Sequence, residues 1–316
     1  MSLNPISVSR LATLFLLVLV TLLTTSVTHA QRRGTYTPGI NATNAGTQPE
    51  PGLTYSNIFE LYSFDKLKGP DGENLPVNGD LSVFVDHNIF IWVSEKKMLG
   101  GASFMLLADI PVANNSLTSA NFGTLGGGGG LADTFYQPVA LGWKKKHADF
   151  QVGYSFTAPT GRFNAGASDN VGSGYWTNGP TAGQTVYLTK NKATAISAFE
   201  YYEFHGTQET TDIHPGQNFN LDYSVTQVVP LKKDMSRLLQ LGFVGYGQWQ
   251  TTDRSGPGLN PVIQANTHYR VNAMGAAANI ILPARKAVLG FKYFKEFANK
   301  STVEGFSIQI SGAITF

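Results

Sequence analysis

The feature that most constrains the fold is a two-residue alternation of apolar and polar side chains, which recurs from about residue 51 to the end of the 316-residue chain. From Asn218 to Val225, every second residue is apolar and the residues between are polar. Successive side chains of a β-strand point to opposite faces, so this pattern gives a strand one apolar and one polar face. The segments are as long as the roughly 9–11 residues that a tilted membrane strand needs, whereas soluble strands usually have about 5–6. The alternation therefore predicts a membrane barrel rather than a soluble sandwich.

The segments predict an all-β fold, an antiparallel transmembrane β-barrel of about twelve strands. We place the strands at about residues 53–64, 80–94, 99–112, 130–143, 148–159, 175–189, 193–206, 217–229, 237–251, 267–282, 286–297 and 302–316. Long and short connections alternate, and the short ones are rich in lysine, as expected for long extracellular loops and short periplasmic turns. An even number of strands would place both termini in the periplasm.

The N-terminus has the pattern of a signal peptide. Arg10 precedes the apolar stretch Leu11 to Leu23, and small residues follow up to Ala30. That stretch has about 13 residues, fewer than the roughly 20 that a membrane helix needs. We therefore expect cleavage near Ala30, an N-terminal periplasmic segment at 31–50 and a barrel at 51–316. Export and a barrel together predict a location in the bacterial outer membrane.

Composition supports this class of protein. Only 14% of the residues are charged, compared with about 25% in soluble domains. The absence of cysteine excludes disulfides and thiolate metal sites, and a net charge of +2 gives no indication of nucleic-acid binding. Phe316 lies on the apolar face of the last segment and has the form of an assembly signal. The expected partners are therefore the outer-membrane assembly machinery and the lipid and lipopolysaccharide around the barrel.

Polar and aromatic residues in the same alternation indicate a lumen of mixed polarity. The substrate-path candidates, all predicted to face inward, are Asp86, Glu200, Tyr202, Asn220, Asp222, Tyr246, Gln248 and Lys292. In this register His87 faces lipid. Such a lumen could stack an aromatic ring while hydrogen-bonding a polar group. The alternative is that these residues fill a narrow barrel and pair with one another, for example Lys292 with a carboxylate.

Three stretches carry a family resemblance: GLADTFYQPVALGW at 130–143, FTAPTGRFNAGASDNVGSGYW at 156–176 and YEFHGTQETTDIHPGQNFNLDYSV at 202–225. With TTDRSGP at 251–257, they resemble the outer-membrane family named for the meta pathway of phenol degradation, also called SphA-like. The family is similar in character to FadL-like channels for hydrophobic compounds. The resemblance implies passive uptake of small hydrophobic or aromatic compounds, with no catalytic motif to transfer.

Other motifs give weaker indications. The glycines at 126–130 lack the Lys-Ser or Lys-Thr ending of a phosphate loop, so we expect a flexible loop there. His205 and His214 flank an acidic loop that could hold calcium, although a solvated polar loop explains them better. We expect no cofactor, no metal and no enzymatic activity. The alternatives are a structural or surface-interaction barrel without transport and, less favoured, a membrane-embedded hydrolase.

Overall fold

The computed structural model describes residues 33–76, 79–119, 123–167, 169–260 and 267–316. The predicted signal peptide at 1–30 lies outside these residues. The strands are β1 (Gly52–Lys68), β2 (Asn74–Leu75), β3 (Gly79–Met98), β4 (Ala102–Asp109), β5 (Val112–Ser119), β6 (Gly123–Leu131), β7 (Thr134–Lys144), β8 (Ala148–Ala158), β9 (Thr177–Tyr187), β10 (Thr194–His205), β11 (Asn218–Pro230), β12 (Leu238–Gln250), β13 (Arg270–Leu282), β14 (Ala287–Glu296) and β15 (Val303–Thr315). No helix among these residues is long and apolar enough to cross a membrane.

Twelve of the described strands form a closed antiparallel ring, which confirms the predicted fold. The order around the ring is β1, β15, β14, β13, β12, β11, β10, β9, β8, β7, β4 and β3, and β3 pairs with β1 to close it. One end of the ring has the connections at 99–101, 145–147, 188–193, 231–237 and 283–286, and we call it the short-turn end. The opposite end, with the longer connections, is the long-loop end. Phe316 is at the short-turn end, where its backbone N–H donates to Leu53 O at 2.9 Å.

Strand β11 shows how the alternation builds the wall. Asn220 and Asp222 are 1% exposed and face the interior, whereas Tyr223 and Val225 are exposed on the outside. Outward apolar side chains recur around the ring, among them Phe59, Val152, Leu241, Phe291 and Ile310. The outer surface is therefore apolar, as lipid contact requires, because hydrocarbon offers no hydrogen-bond partners.

The wall departs from a simple meander between β3 and β7. Within the range 113–129, predicted as a loop, residues 113–119 and 123–129 instead lie in the paired strands β5 and β6, and β5 also pairs with β3. Ile110 and Pro111 separate β4 from β5, and residues 132–133 separate β6 from β7. Proline has no N–H to donate, which explains an interruption of the ladder at this point. The glycine run lies in strand β6 rather than in a flexible loop.

The interior of the ring contains the chain's own N-terminal residues. Residues 33–50 are irregular in structure and mostly buried or half-buried. Arg33 contacts Val303 near the long-loop end, and Glu50 pairs with Lys144 at the short-turn end. This differs from the expected periplasmic segment, and the described chain starts at the opposite end from Phe316. We call residues 33–50 the lumen segment.

Candidate functional site

The site is the interior of the barrel, where the wall strands hold the lumen segment through both its backbone and its side chains. The Glu203 carboxylate accepts hydrogen bonds from the N–H groups of Thr35 and Tyr36 at 2.9 and 3.0 Å. Asp222 accepts from the N–H groups of Gly39 and Asn41 at 2.9 and 3.0 Å. The wall therefore binds this irregular segment through its amide groups, with charge-assisted bonds that are stronger than bonds between neutral groups.

Lys292 provides the complementary interaction. Its ammonium group donates to the carbonyl oxygens of Gly39 and Ile40, both at 2.8 Å, and to Gln309 Oε1 at 3.3 Å. No ion pair between Lys292 and a carboxylate is formed within the described residues, although Asp222 holds the same turn of the segment. The lysine thus binds the segment rather than a wall carboxylate.

Aromatic packing and one glycine fit the segment to the wall. The Tyr36 ring lies 5.8 Å from the rings of both Phe199 and Tyr201, and its hydroxyl donates to Asp222 at 2.6 Å. Gly39 has φ +80°, and a Cβ there would lie 2.5 Å from the Phe294 ring. A side chain at position 39 would therefore be strained by its backbone conformation and would clash with the wall.

Arg33 occupies a pocket at the long-loop end. Its guanidinium forms a bidentate ion pair with Glu296, with distances of 2.7 and 3.0 Å, and also donates to Val303 O at 2.8 Å. The guanidinium carbon lies 5.0 Å from the centroid of the Tyr62 ring. The hydroxyls of Tyr62 and Tyr246 donate to Glu296 at 2.8 and 3.0 Å. We call Glu296, Tyr62, Tyr246 and the Val303 carbonyl the Arg33 pocket.

Five of the eight predicted substrate-path residues face the lumen. They are Asn220, Asp222, Tyr246, Gln248 and Lys292, all at most 7% exposed. Gln248 joins the network by donating to Asn220 Oδ1 at 2.8 Å and to Tyr36 O at 3.4 Å. The inward register predicted for these strands is therefore confirmed.

The inward placement of Asp86, Glu200 and Tyr202 is wrong, because β3 and β10 have the opposite register. Asp86 accepts a hydrogen bond from Asn57 at 2.6 Å on the outer face. Glu200 accepts one from Gln184, and Tyr202 bonds to Thr251 at 2.8 Å. Each of these outward residues has a hydrogen-bond partner on a neighbouring side chain, although one Glu200 oxygen has none, so their polarity did not indicate the lumen.

Sequence reasoning missed Glu203 and His87, which face inward. His87 Nδ1 lies 2.6 Å from Asp109, and its Nε2 lies 3.4 Å from the Thr37 hydroxyl on the lumen segment. Both faces of β10 carry polar and aromatic residues. On its inner face, Phe199 and Tyr201 pack on the lumen segment. Only knowledge of the segment's position could have resolved that register.

The loop histidines do not converge on a shared ion. His205 is buried, with Nδ1 at 2.8 Å from Thr177 and Nε2 at 2.7 Å from Asn218, while the backbone of His214 pairs with Ser255. Among the described residues, no group of three or more His, Asp or Glu side chains is arranged to hold a metal ion.

Fold and site define a twelve-stranded barrel of the outer-membrane type whose lumen holds its own N-terminal segment. The chain belongs to the family described as the putative MetA-pathway of phenol degradation, whose model matches residues 64–311. Comparison with curated proteins gives no match.

Solved outer-membrane proteins are similar to this chain to different degrees. An outer-membrane channel from Pseudomonas putida F1 is similar over 88% of this chain and all of its own, with TM-score 0.64 and 13% identity. The β-domain of the Bordetella autotransporter BrkA gives TM-score 0.47 at 9% identity, covering 84% of this chain and all of its own. The CymD monoaromatic hydrocarbon channel gives 0.37 at 8%, covering 86% and 90% of the two chains. Only the first of these is similar enough to support the fold.

Proposed function

We propose that the protein is an outer-membrane channel for passive passage of small hydrophobic or aromatic compounds, with the long-loop end facing outward. The family match and the channel from Pseudomonas putida F1 support the general role. The apolar outer surface supports membrane insertion. In this proposal lipid and lipopolysaccharide surround the wall, the signal peptide is removed near Ala30, and Phe316 serves the assembly machinery. We infer no enzymatic role.

The observation that carries the proposal is how the lumen is filled. A segment of the chain itself occupies it and is held by hydrogen bonds, among them those of Glu203 and Asp222, and by two salt bridges, Arg33 with Glu296 and Glu50 with Lys144. A neutral hydrogen bond contributes about 0.5–1.5 kcal/mol net and one to a charged group about 1.5–3 kcal/mol, because water replaces it. In this proposal the segment leaves the lumen while the ring stays folded, and its departure opens a path.

A reversible disulfide tests whether the segment must move. The Thr35 and Thr157 hydroxyl oxygens lie 3.3 Å apart, one on the segment and one on β8. Thr35→Cys with Thr157→Cys in this cysteine-free chain therefore brings two thiols within range of a disulfide. We expect intact cells with the oxidised double variant to lose uptake of a panel of radiolabelled aromatic compounds, and a reductant to restore it.

Each single-cysteine variant is the control, since it carries the substitution without the crosslink. The continuous hydrogen bonding of the segment favours the second candidate, a structural or surface-interaction barrel without transport. That candidate predicts the same uptake from oxidised, reduced and empty-vector cells. Equal uptake would reject the channel.

A further inference from the structure

The buried ionisable side chains of the described strands are mostly acidic. The carboxylates are Glu60, Asp109, Asp149, Glu203, Asp222, Glu296 and Glu304, and the basic groups are Lys292, His87 and His205. Some carboxylates are paired within the wall and its turns: Glu304 with Lys66 and Asp149 with Lys192, each at 3.5 Å. Lys66 and Lys192 are partly exposed at the two ends of the barrel.

Three of the carboxylates depend on the lumen segment. Glu203 and Asp222 accept backbone N–H groups of the segment, and Glu296 pairs with Arg33. When the segment leaves, these three carboxylates lose one cation and four backbone N–H donors. Lys292 loses its carbonyl partners on the segment at the same time. The open lumen therefore presents three released carboxylates and one released ammonium group. Its field favours cations over anions.

The Arg33 pocket remains built without its arginine. Glu296 keeps four donors from the wall: the hydroxyls of Tyr62 and Tyr246, the Asn299 amide at 3.1 Å and the Gly305 N–H at 2.9 Å. These bonds fix the carboxylate, and donors to a carboxylate stabilise its charged form. The Tyr62 ring and the Val303 carbonyl complete a site of the kind that binds organic cations.

We propose that the Arg33 pocket binds the cationic head of transported compounds, so that the channel selects apolar and aromatic amines over carboxylates. Arg33 is then a tethered competitor that a soluble amine displaces. The inference rests on the proposed channel function and names its substrate class. The pocket's charge, its aromatic ring and its carbonyl acceptor all match an ammonium group attached to an apolar body.

Planar bilayers measure this selectivity directly, because only charged forms carry current. The probes are 2-phenylethylammonium and 3-phenylpropionate, which share a ring and differ in charge. For Arg33→Ala we expect the cation to be at least about tenfold more permeant than the anion, equivalent to about 1.4 kcal/mol. Arg33→Lys restores a tethered cation and should conduct little, like the unmodified protein.

Glu296→Gln in the Arg33→Ala background keeps the shape of the pocket and removes its charge. We expect the permeability ratio to fall several-fold towards one. The matched control is Glu95→Gln, which removes an exposed carboxylate near the short-turn end, outside the lumen segment, and should leave the ratio unchanged. A ratio near one for Arg33→Ala, or no effect of Glu296→Gln, overturns the inference while leaving the channel intact. A folded Arg33→Ala barrel that carries neither probe nor potassium chloride contradicts the channel itself.

A measurement on the unmodified protein tests the same pocket without any substitution, so its result does not depend on the folding of the variants. Millimolar 2-phenylethylammonium should increase the potassium chloride conductance in a saturable way, because it displaces Arg33 from Glu296. The same concentration of 3-phenylpropionate should have no such effect. Equal responses to both probes, or none, would contradict the pocket as an amine site.

Discussion

Two carboxylates on neighbouring strands occupy opposite sides of the wall. Asp222 on β11 faces inward and accepts hydrogen bonds from the Tyr36 hydroxyl and from two backbone N–H groups of the lumen segment. Glu200 on β10 faces outward, with one oxygen bonded to the Gln184 amide and the other enclosed without a partner. Asp222 therefore holds the lumen segment in place, whereas Glu200 makes a single hydrogen bond on the outer wall.

The difference shows that polarity alone does not assign a face in this barrel. Inside, the segment supplies both polar partners and apolar surface, so Phe199 and Tyr201 are as well placed there as Asp222. Outside, pairs such as Asn57 with Asp86 satisfy each other and leave little polar surface for lipid. Removing a charged group should therefore change the position of the lumen segment only if that group is bonded to the segment.

The largest expected effect comes from applying the same substitution to both carboxylates. Asp222→Leu leaves three buried donors without an acceptor, at about 1–3 kcal/mol each, and should release the segment. The reporter is Thr43→Cys, which lies on the segment of this cysteine-free chain. We expect thiol labelling by a small water-soluble reagent to accelerate by at least about tenfold, the equivalent of about 1.4 kcal/mol.

Glu200→Leu is the matched control and should leave the labelling rate of Thr43→Cys unchanged. If both leucine variants accelerate labelling equally, the segment responds to general destabilisation and not to its own bonds. If neither does, Asp222 does not hold the segment. Heat-modifiable electrophoretic mobility verifies that each barrel is folded.

The closed ring of strands could be predicted from the sequence, because its strands show the two-residue alternation of apolar and polar side chains. Strands such as β11 and β12 have one predominantly apolar face, and their register followed directly. Strand β10 carries polar and aromatic residues on both faces, and the aliphatic face of β3 points inward while its outer face mixes aromatic with polar residues, so neither register could be derived from the pattern. The position of the N-terminal segment was missed because it depends on contacts between residues up to 271 positions apart, as between Pro38 and Gln309.

An intermediate effect is expected from charge on the lipid face of β11. Val225→Arg places a cation on an exposed outward position near the middle of the strand. Arginine there costs about 2–4 kcal/mol at the bilayer midplane and about 0–1 kcal/mol near the interface. Val229→Arg, on the same face near the short-turn end, is the control. Unfolding by guanidinium in phospholipid vesicles should show the larger loss for Val225→Arg, and equal losses would mean that the membrane lies elsewhere on the wall.

The smallest effect, and the sharpest test of the comparison, is the removal of the outward charge. Glu200→Gln keeps an acceptor for the Gln184 amide and removes a carboxylate from a lipid-facing position. An acidic residue on the lipid face costs less than the arginine value above, so we expect the free energy of unfolding in vesicles to rise by less than about 1 kcal/mol. Gln184→Leu instead removes the amide donor, leaves the carboxylate unpaired and should lower that free energy by about 1–3 kcal/mol. A clear loss of stability in Glu200→Gln would show that the charge itself binds a group outside the wall, and Glu200 would then be a second functional carboxylate comparable to Asp222.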